Sequence, residues 1–229
     1  MKLFITKKSV IFILAGIILA AAVIGICAGA ATAAAHDDGE RVVVIDAGHG
    51  GIDSGVHGIN TNTKESEINL AIAKYLRGYF TEAGFNVVMT RKTQGGLYGL
   101  SSKGFKIRDM KKRKEIIEKN DADMVISVHQ NFCPIPSRRG GTVFFDKTSE
   151  CGKALAASIQ KSLNEMKECV KQNEALAGDY YMLKCTKNPS VIVECGFLSN
   201  AEDEKLLISE NYQKSIAYSI FKGAVSYYS

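Results

Sequence analysis

Three apolar runs, far apart in this chain, each stop at a polar residue. Val42-Val-Val-Ile45 ends at Asp46, Met124-Val-Ile126 at Ser127, and Val191-Ile-Val193 at Glu194. Short unbroken apolar runs are the signature of strands buried on both faces of a parallel sheet. Polar residues placed directly after several such strands collect at the C-terminal edge of an open α/β sheet, where ligands bind. The segments involved are Asp46-Ala-Gly-His49-Gly-Gly, Ser127-Val-His129-Gln-Asn131 and Val193-Glu194-Cys-Gly-Phe-Leu-Ser-Asn200, joined by a fourth, Lys64-Glu65-Ser66. Two histidines and a carboxylate at such an edge make the ligand set of a catalytic zinc site that keeps a position open for water. A second carboxylate, Glu194, is then free to move protons.

The stretches between these segments supply the other layers. Residues 65–83 carry Ile68, Leu70, Ile72, Ala73, Leu76 and Phe80 near helical spacing, and Gly84 closes the pattern. Further helices are expected at 106–119, 150–166, 201–208 and 211–227. Further strands are expected at 86–90, 141–145 and 180–184. Strands alternating with helices predict an α/β fold, a single layered domain with a largely parallel central sheet flanked by helices. Residues 167–179 read as polar and weakly structured. The glycine-rich loops 50–58 and 94–104 read as mobile unless something supports them.

A chain of 229 residues suits one sizeable domain once its N-terminus is set aside. Lys2, Lys7 and Lys8 precede an apolar stretch from Val10 to Ala35, broken only by Thr32. Residues 1–35 therefore read as a signal peptide or a retained N-terminal membrane anchor. Small residues at 31–35 suit cleavage and the length suits an anchor. Either way the rest is exported, with 36–40 as a polar linker and 41–229 as the catalytic domain. Those three lysines hold three of the five net positive charges, so the remainder is too weakly basic to argue for nucleic acid. Six cysteines without a CxxC spacing make a poor disulfide framework and read as small buried hydrophobes. The run Lys111-Lys-Arg-Lys114 reads as a solvated helix face.

The four segments together resemble the zinc-dependent N-acetylmuramoyl-L-alanine amidases of bacterial cell-wall turnover. The likeness rests on Gly48-His49-Gly50-Gly51, on Glu65 five residues before Leu70, on Ser127-x-His129-x-Asn131, and on Glu194-x-Gly-Phe-x-Ser-Asn200. Thr90-Arg91 and Ala122-Asp123 fit as well, so the resemblance spans roughly residues 41–225. The chain departs from the family at 93–100 and at Ile117-Glu118, away from the metal set. The resemblance implies a Zn2+ ion held by His49, Glu65 and His129, with Glu67 the alternative to Glu65. It implies Glu194 as the carboxylate that takes a proton from water and returns it to the leaving amine. Asn131, Arg138 and Arg139 are candidates for substrate or supporting contacts, and His57 for a solvent- or substrate-facing role.

The implied substrate is peptidoglycan, cut between N-acetylmuramic acid and L-alanine. The overall likeness is to the germination-specific members that prepare spore cortex for muramic-δ-lactam formation. Two other readings stand beside this one: a zinc carboxypeptidase or deacylase on another amide, and a non-catalytic wall-binding or partner module. Some family members block the cleft with a long helical insert, which 167–179 is too short to form. Restraint is expected instead from weak zinc binding, an extracytoplasmic protein partner that regulates it, or confinement at a membrane.

Overall fold

A computed structural model describes residues 41–100 and 102–228. The expected export segment and linker lie outside the described residues. Six strands, β1 (Val42–Ala47), β2 (Asn86–Met89), β3 (Met124–Asn131), β4 (Thr142–Phe145), β5 (Leu176–Ala177) and β6 (Ser190–Phe197), form one sheet in the order β2-β1-β3-β6-β4-β5. The first four in that order are parallel; β4 runs against β6, and β5 runs parallel to β4. Five helices flank it: α1 (Glu65–Glu82), α2 (Phe105–Lys119), α3 (Glu150–Asn164), α4 (Ala201–Leu207) and α5 (Glu210–Tyr227). None of the described helices is long and apolar enough to cross a membrane.

Side chains alternate between sheet faces, so each buried strand feeds two cores. Val43, Ile45, Ile126, Val128, Val191 and Val193 face α1, α3 and α5, where Ile72, Leu76, Phe80, Leu155, Ile159, Ile216 and Ile220 close the larger core. Val44, Val125 and Ile192 face the other way, onto Ile117 of α2 and onto Met182 and Leu183. Asp46, Ser127, His129 and Glu194 continue this second set by parity. The candidate site side chains therefore emerge on the thinner side of the sheet, where α2 and one short turn leave a cleft.

Two expectations need correction, and the support that the glycine-rich loops require is present. Residues 180–184 form a 3-10 turn, Tyr181–Lys184, rather than a strand. The turn sends the adjacent Met182 and Leu183 into the same apolar cluster, which the alternation of a strand would prevent. The loops 50–58 and 94–104 support one another: Gly51 N–H donates to Gln94 O, and Ile52 N–H to Tyr98 Oη. The Lys111–Lys114 run is only partly solvated, because Arg113 is 2% exposed. Asp109, Arg113 and Ile117, four residues apart, form one buried stripe of α2.

Candidate metal centre

His49 sits just beyond β1 with φ 59°, a left-handed conformation uncommon for a residue with a Cβ. Two buried guanidinium groups hold it there. Arg91 donates to Ala47 O at 2.8 Å, Gly48 O at 2.8 Å and Ser66 O at 2.7 Å. Arg113 donates to Ala47 O at 2.8 Å and His49 O at 2.6 Å. Three consecutive carbonyls of the loop are thereby fixed. Arg113 also pairs with Asp46 and Asp109. Asp46 in turn accepts from Ser127 Oγ and Thr90 Oγ1, both at 2.6 Å. Burial works to raise the Asp46 carboxyl, but the Arg113 charge and these hydrogen bonds outweigh it and hold the group at about 2.

Glu65 is the first residue of α1, where a carboxylate also meets the positive end of the helix dipole. Its Oε1 lies 2.9 Å from His129 Nδ1 and 3.2 Å from His49 Nε2, and its Oε2 accepts from Val56 N–H at 3.0 Å. Burial works to raise its carboxyl, but the two imidazoles hold it well below the carboxylate range. Close approach is needed on both sides. A Cβ at Gly48 would stand 2.2 Å from the His129 ring, and one at Gly55 would stand 2.3 Å from Glu65 Oε2. Asp53, four residues after His49, places Oδ2 3.0 Å from its Nδ1. Burial lowers the His49 imidazole, while the Asp53 and Glu65 bonds raise it further, to about 9.

The three donor atoms all lie within 4.8 Å of one another. Donors of a tetrahedral zinc site stand roughly 3.4 Å apart, given metal–ligand lengths near 2.1 Å. The two spacings to Glu65 Oε1, 2.9 and 3.2 Å, are close to that value. The donor types, two imidazole nitrogens and one carboxylate oxygen, also suit zinc.

Glu194 stands beside this group because β6 pairs with β3 in a register that sets Glu194 opposite His129. Its Oε2 is buried and has no hydrogen-bond partner among the described residues. Burial pushes the carboxyl up to about 7; the His129 charge opposes the rise, Glu65 adds to it and His49 opposes it. A cavity of about 360 Å³ opens here, lined by His49, His129, Glu194, Tyr180, Tyr181 and Lys106 among others. A buried carboxyl beside three potential metal donors, open to a cavity, is an arrangement suited to metal-assisted hydrolysis.

The remaining sequence candidates lie apart from this cluster. Asn131 Oδ1 accepts from the Phe132 N–H, at a bulge that ends β3. Arg139 pairs with Asp203 of α4 at 3.2 Å, and Arg138 is exposed. Glu67 is exposed and pairs with Lys64, two helix positions away from the face Glu65 uses. His57 bonds Asn62 and Ser54, both at 2.8 Å. The described cysteines are free; Cys185 and Cys195 are buried, but Cys133, Cys151 and Cys169 are only half-buried. Burial holds the Cys195 thiol far above its ordinary value, which disfavours the thiolate that a nucleophile needs. Sequence reasoning missed Asp53 and Arg113. A carboxylate four residues after His49 was a usable sign of the first. The 109–113–117 spacing was a usable sign of the second.

A family profile described as N-acetylmuramoyl-L-alanine amidase matches residues 43–226. The germination-specific N-acetylmuramoyl-L-alanine amidase of Bacillus subtilis (strain 168) is 31% identical over 192 residues, covering 82% of this chain and 80% of that protein. The CwlD amidase of Clostridioides difficile, solved in complex with the GerS lipoprotein, is 36% identical with a TM-score of 0.79, covering 82% of this chain and 98% of that one. The catalytic domain of CwlV, an N-acetylmuramoyl-L-alanine amidase from Bacillus (Paenibacillus) polymyxa var. colistinus, is 28% identical with a TM-score of 0.72. With the fold and the His-Glu-His group in place, this chain belongs to the N-acetylmuramoyl-L-alanine amidases, hydrolases that act on peptidoglycan.

Proposed function

We propose that this protein is an exported zinc amidase of spore-cortex peptidoglycan, acting ahead of muramic-δ-lactam formation. His49, Glu65 and His129 are its zinc ligands, and Glu194 carries the proton. The observation that carries the reading is Glu194 Oε2: buried, unpartnered among the described residues, and next to a group of three potential metal donors. Zinc, when bound there, supplies a Lewis acid that acidifies water and polarises the scissile carbonyl. The chain supplies the rest. A carboxyl poised near 7 can accept a proton from water and return it to the L-alanine amine. Asp53 fixes the His49 tautomer by accepting from Nδ1, which leaves Nε2 for the metal. The cortex assignment is supported by the germination-specific relative and by the CwlD likeness.

Peptidoglycan lies outside the cytoplasmic membrane, and residues 1–35 are the proposed signal or anchor that takes domain 41–229 there. The CwlD amidase was solved with a lipoprotein partner. An extracytoplasmic protein of that kind is the proposed regulator here; by binding the metal-loaded form it would raise zinc affinity through linkage. The test is mass spectrometry of muropeptides from cortex digested by wild-type protein, by chelated protein and by Glu194→Ala. Stem-peptide release should vanish with chelator. It should fall about 10²–10⁴-fold in the variant, with zinc retained. Near-native turnover by Glu194→Ala, or release unaffected by chelator, rejects the reading.

A further inference from the structure

Glu65 is held by more than the two imidazoles. Its Oε1 also accepts from the Gln130 backbone N–H at 3.1 Å and from Asn69 Nδ2 at 3.2 Å. Asn69 lies one helical turn beyond Glu65 and so shares its face of α1. Its Nδ2 donates a second time, to Gly48 O at 3.2 Å, and Gly48 is the residue against which the His129 ring packs. The other amide atom, Oδ1, accepts from Gln130 Nε2 at 3.0 Å. Asn69 is fully buried and Gln130 is 3% exposed.

The two ends of an asparagine amide have nearly the same shape, so its orientation is set by its partners. Around Asn69 there are two acceptors on one side, Glu65 Oε1 and Gly48 O, and one donor on the other, Gln130 Nε2. Only one orientation satisfies all three. The reversed amide would set an oxygen against a carboxylate and a carbonyl. Gln130 follows His129 in β3, so its side chain crosses to the opposite face of the sheet, toward α1. One strand thus supplies His129 to the cleft and, from its other face, the group that orients Asn69.

This arrangement has a cost. Gln130 Oε1 is buried and makes no hydrogen bond among the described residues, and the Cys195 thiol lies within hydrogen-bonding reach of the amide. Packing alone favours an apolar side chain at a position with an unsatisfied buried oxygen.

We propose that Asn69 and Gln130 are positioning residues for the metal site: Gln130 locks the Asn69 amide, and Asn69 locks the Glu65 carboxylate as a metal ligand. The proposal rests on the zinc reading above. When the imidazoles turn to a metal, Glu65 keeps three donors, Gln130 N, Asn69 Nδ2 and Val56 N, so the ligand is set before the ion arrives.

The experiment strips full-length protein of metal and titrates it with Zn2+ against a chromophoric chelator. Co2+ spectra report the ligand field, and thermal melts of the metal-free protein report the fold. The variants are Gln130→Met, which removes the amide at similar length, and Asn69→Asp, which turns the donor into an acceptor. Each should bind zinc about 10–100-fold more weakly and shift the Co2+ bands. Gln130→Met removes one unsatisfied oxygen but leaves the buried Asn69 Oδ1 without its donor, so it should melt close to wild type. A Gln130 that is merely structural would give a lower melt and unchanged zinc affinity. Zinc affinity within twofold of wild type in either folded variant overturns the proposal. Equal zinc binding by wild type and His129→Ala would overturn the zinc reading instead, a distinguishable result.

Discussion

The two faces of the sheet are buried by different means. Beneath α1, α3 and α5 the contacts are aliphatic and aromatic: Ile72, Leu76, Phe80, Ile159 and Ile220 against Ile45, Ile126 and Val193. On the opposite face, beside a smaller apolar cluster, two carboxylates and a guanidinium are buried together, with Ser127 and Thr90 hydrogen-bonded to Asp46. Apolar burial is non-directional and stabilises in proportion to area. A buried ion cluster is weak evidence for stability, since desolvation offsets most of its attraction. What such a cluster does supply is direction. Arg113 reaches Asp46, Asp109, Ala47 O and His49 O from one planar group, which only a guanidinium in one position can do. The apolar face holds the domain together; the charged face holds His49 beside Glu65, where the candidate metal donors meet.

Substitutions should separate the two roles. Arg113→Met carries the largest expected effect. It leaves Asp46 buried without its cation, a loss of about 3–5 kcal/mol, and it releases the His49 carbonyl. Both denaturant stability and zinc affinity should fall. If stability falls while zinc affinity of the folded fraction holds, the cluster is structural only and the contrast between the faces fails. Leu76→Ala comes next. A buried leucine truncated in the large core costs about 2–5 kcal/mol. Zinc affinity of the folded fraction should not move, because Leu76 lies on the far side of the sheet from the cleft. A matching loss of zinc affinity would show that the site depends on overall packing rather than on the charged face.

The sequence made the apolar face easy to read and the charged face hard. The runs 42–45, 124–126 and 191–193 announce strands because both their faces are apolar. The same criterion ended β3 and β6 too early, at 128 and 194, although the strands continue to Asn131 and Phe197. There His129 and Glu194 turn to the cleft while the buried Gln130 and Cys195 take the opposite face, so the apolar signal weakens without the strand ending. The candidate residues His49, Glu65, His129 and Glu194 stand out in the sequence because each sits in a short motif next to a strand or helix end. Arg113 does not, because a buried arginine inside Lys-Lys-Arg-Lys has the composition of a solvated surface. Only the spacing to Asp109 and Ile117 marks it, and that pattern gains meaning once Asp46 is known to stand opposite. Asn69 and Gln130 have no local signature at all. Their role depends on α1 crossing β3, which is a fact of tertiary structure.

The smallest effect tests the charged face by pH. Asp46 is held at about 2 in the folded protein, against an ordinary value of 3.8. A carboxyl whose folded value is depressed adds stability above its unfolded value and loses it as pH falls through the folded one. The contribution of Asp46 is therefore complete above about pH 4 and fades toward about pH 2. A shift of that size corresponds to something on the order of 2 kcal/mol. Other carboxylates titrate in the same window, Asp53 among them, held at about 2 chiefly by its hydrogen bond to His49. The informative quantity is therefore the stability gap between metal-free wild type and Asp46→Asn, which keeps the side-chain shape and cannot titrate. That gap should narrow by on the order of 2 kcal/mol as the buffer is taken from about pH 5 to about pH 2. A gap that stays constant would mean that the Arg113 charge does not stabilise ionised Asp46. The buried cluster would then hold the loop through its hydrogen bonds to the 47–49 carbonyls alone, with Asp46 as a neutral spacer.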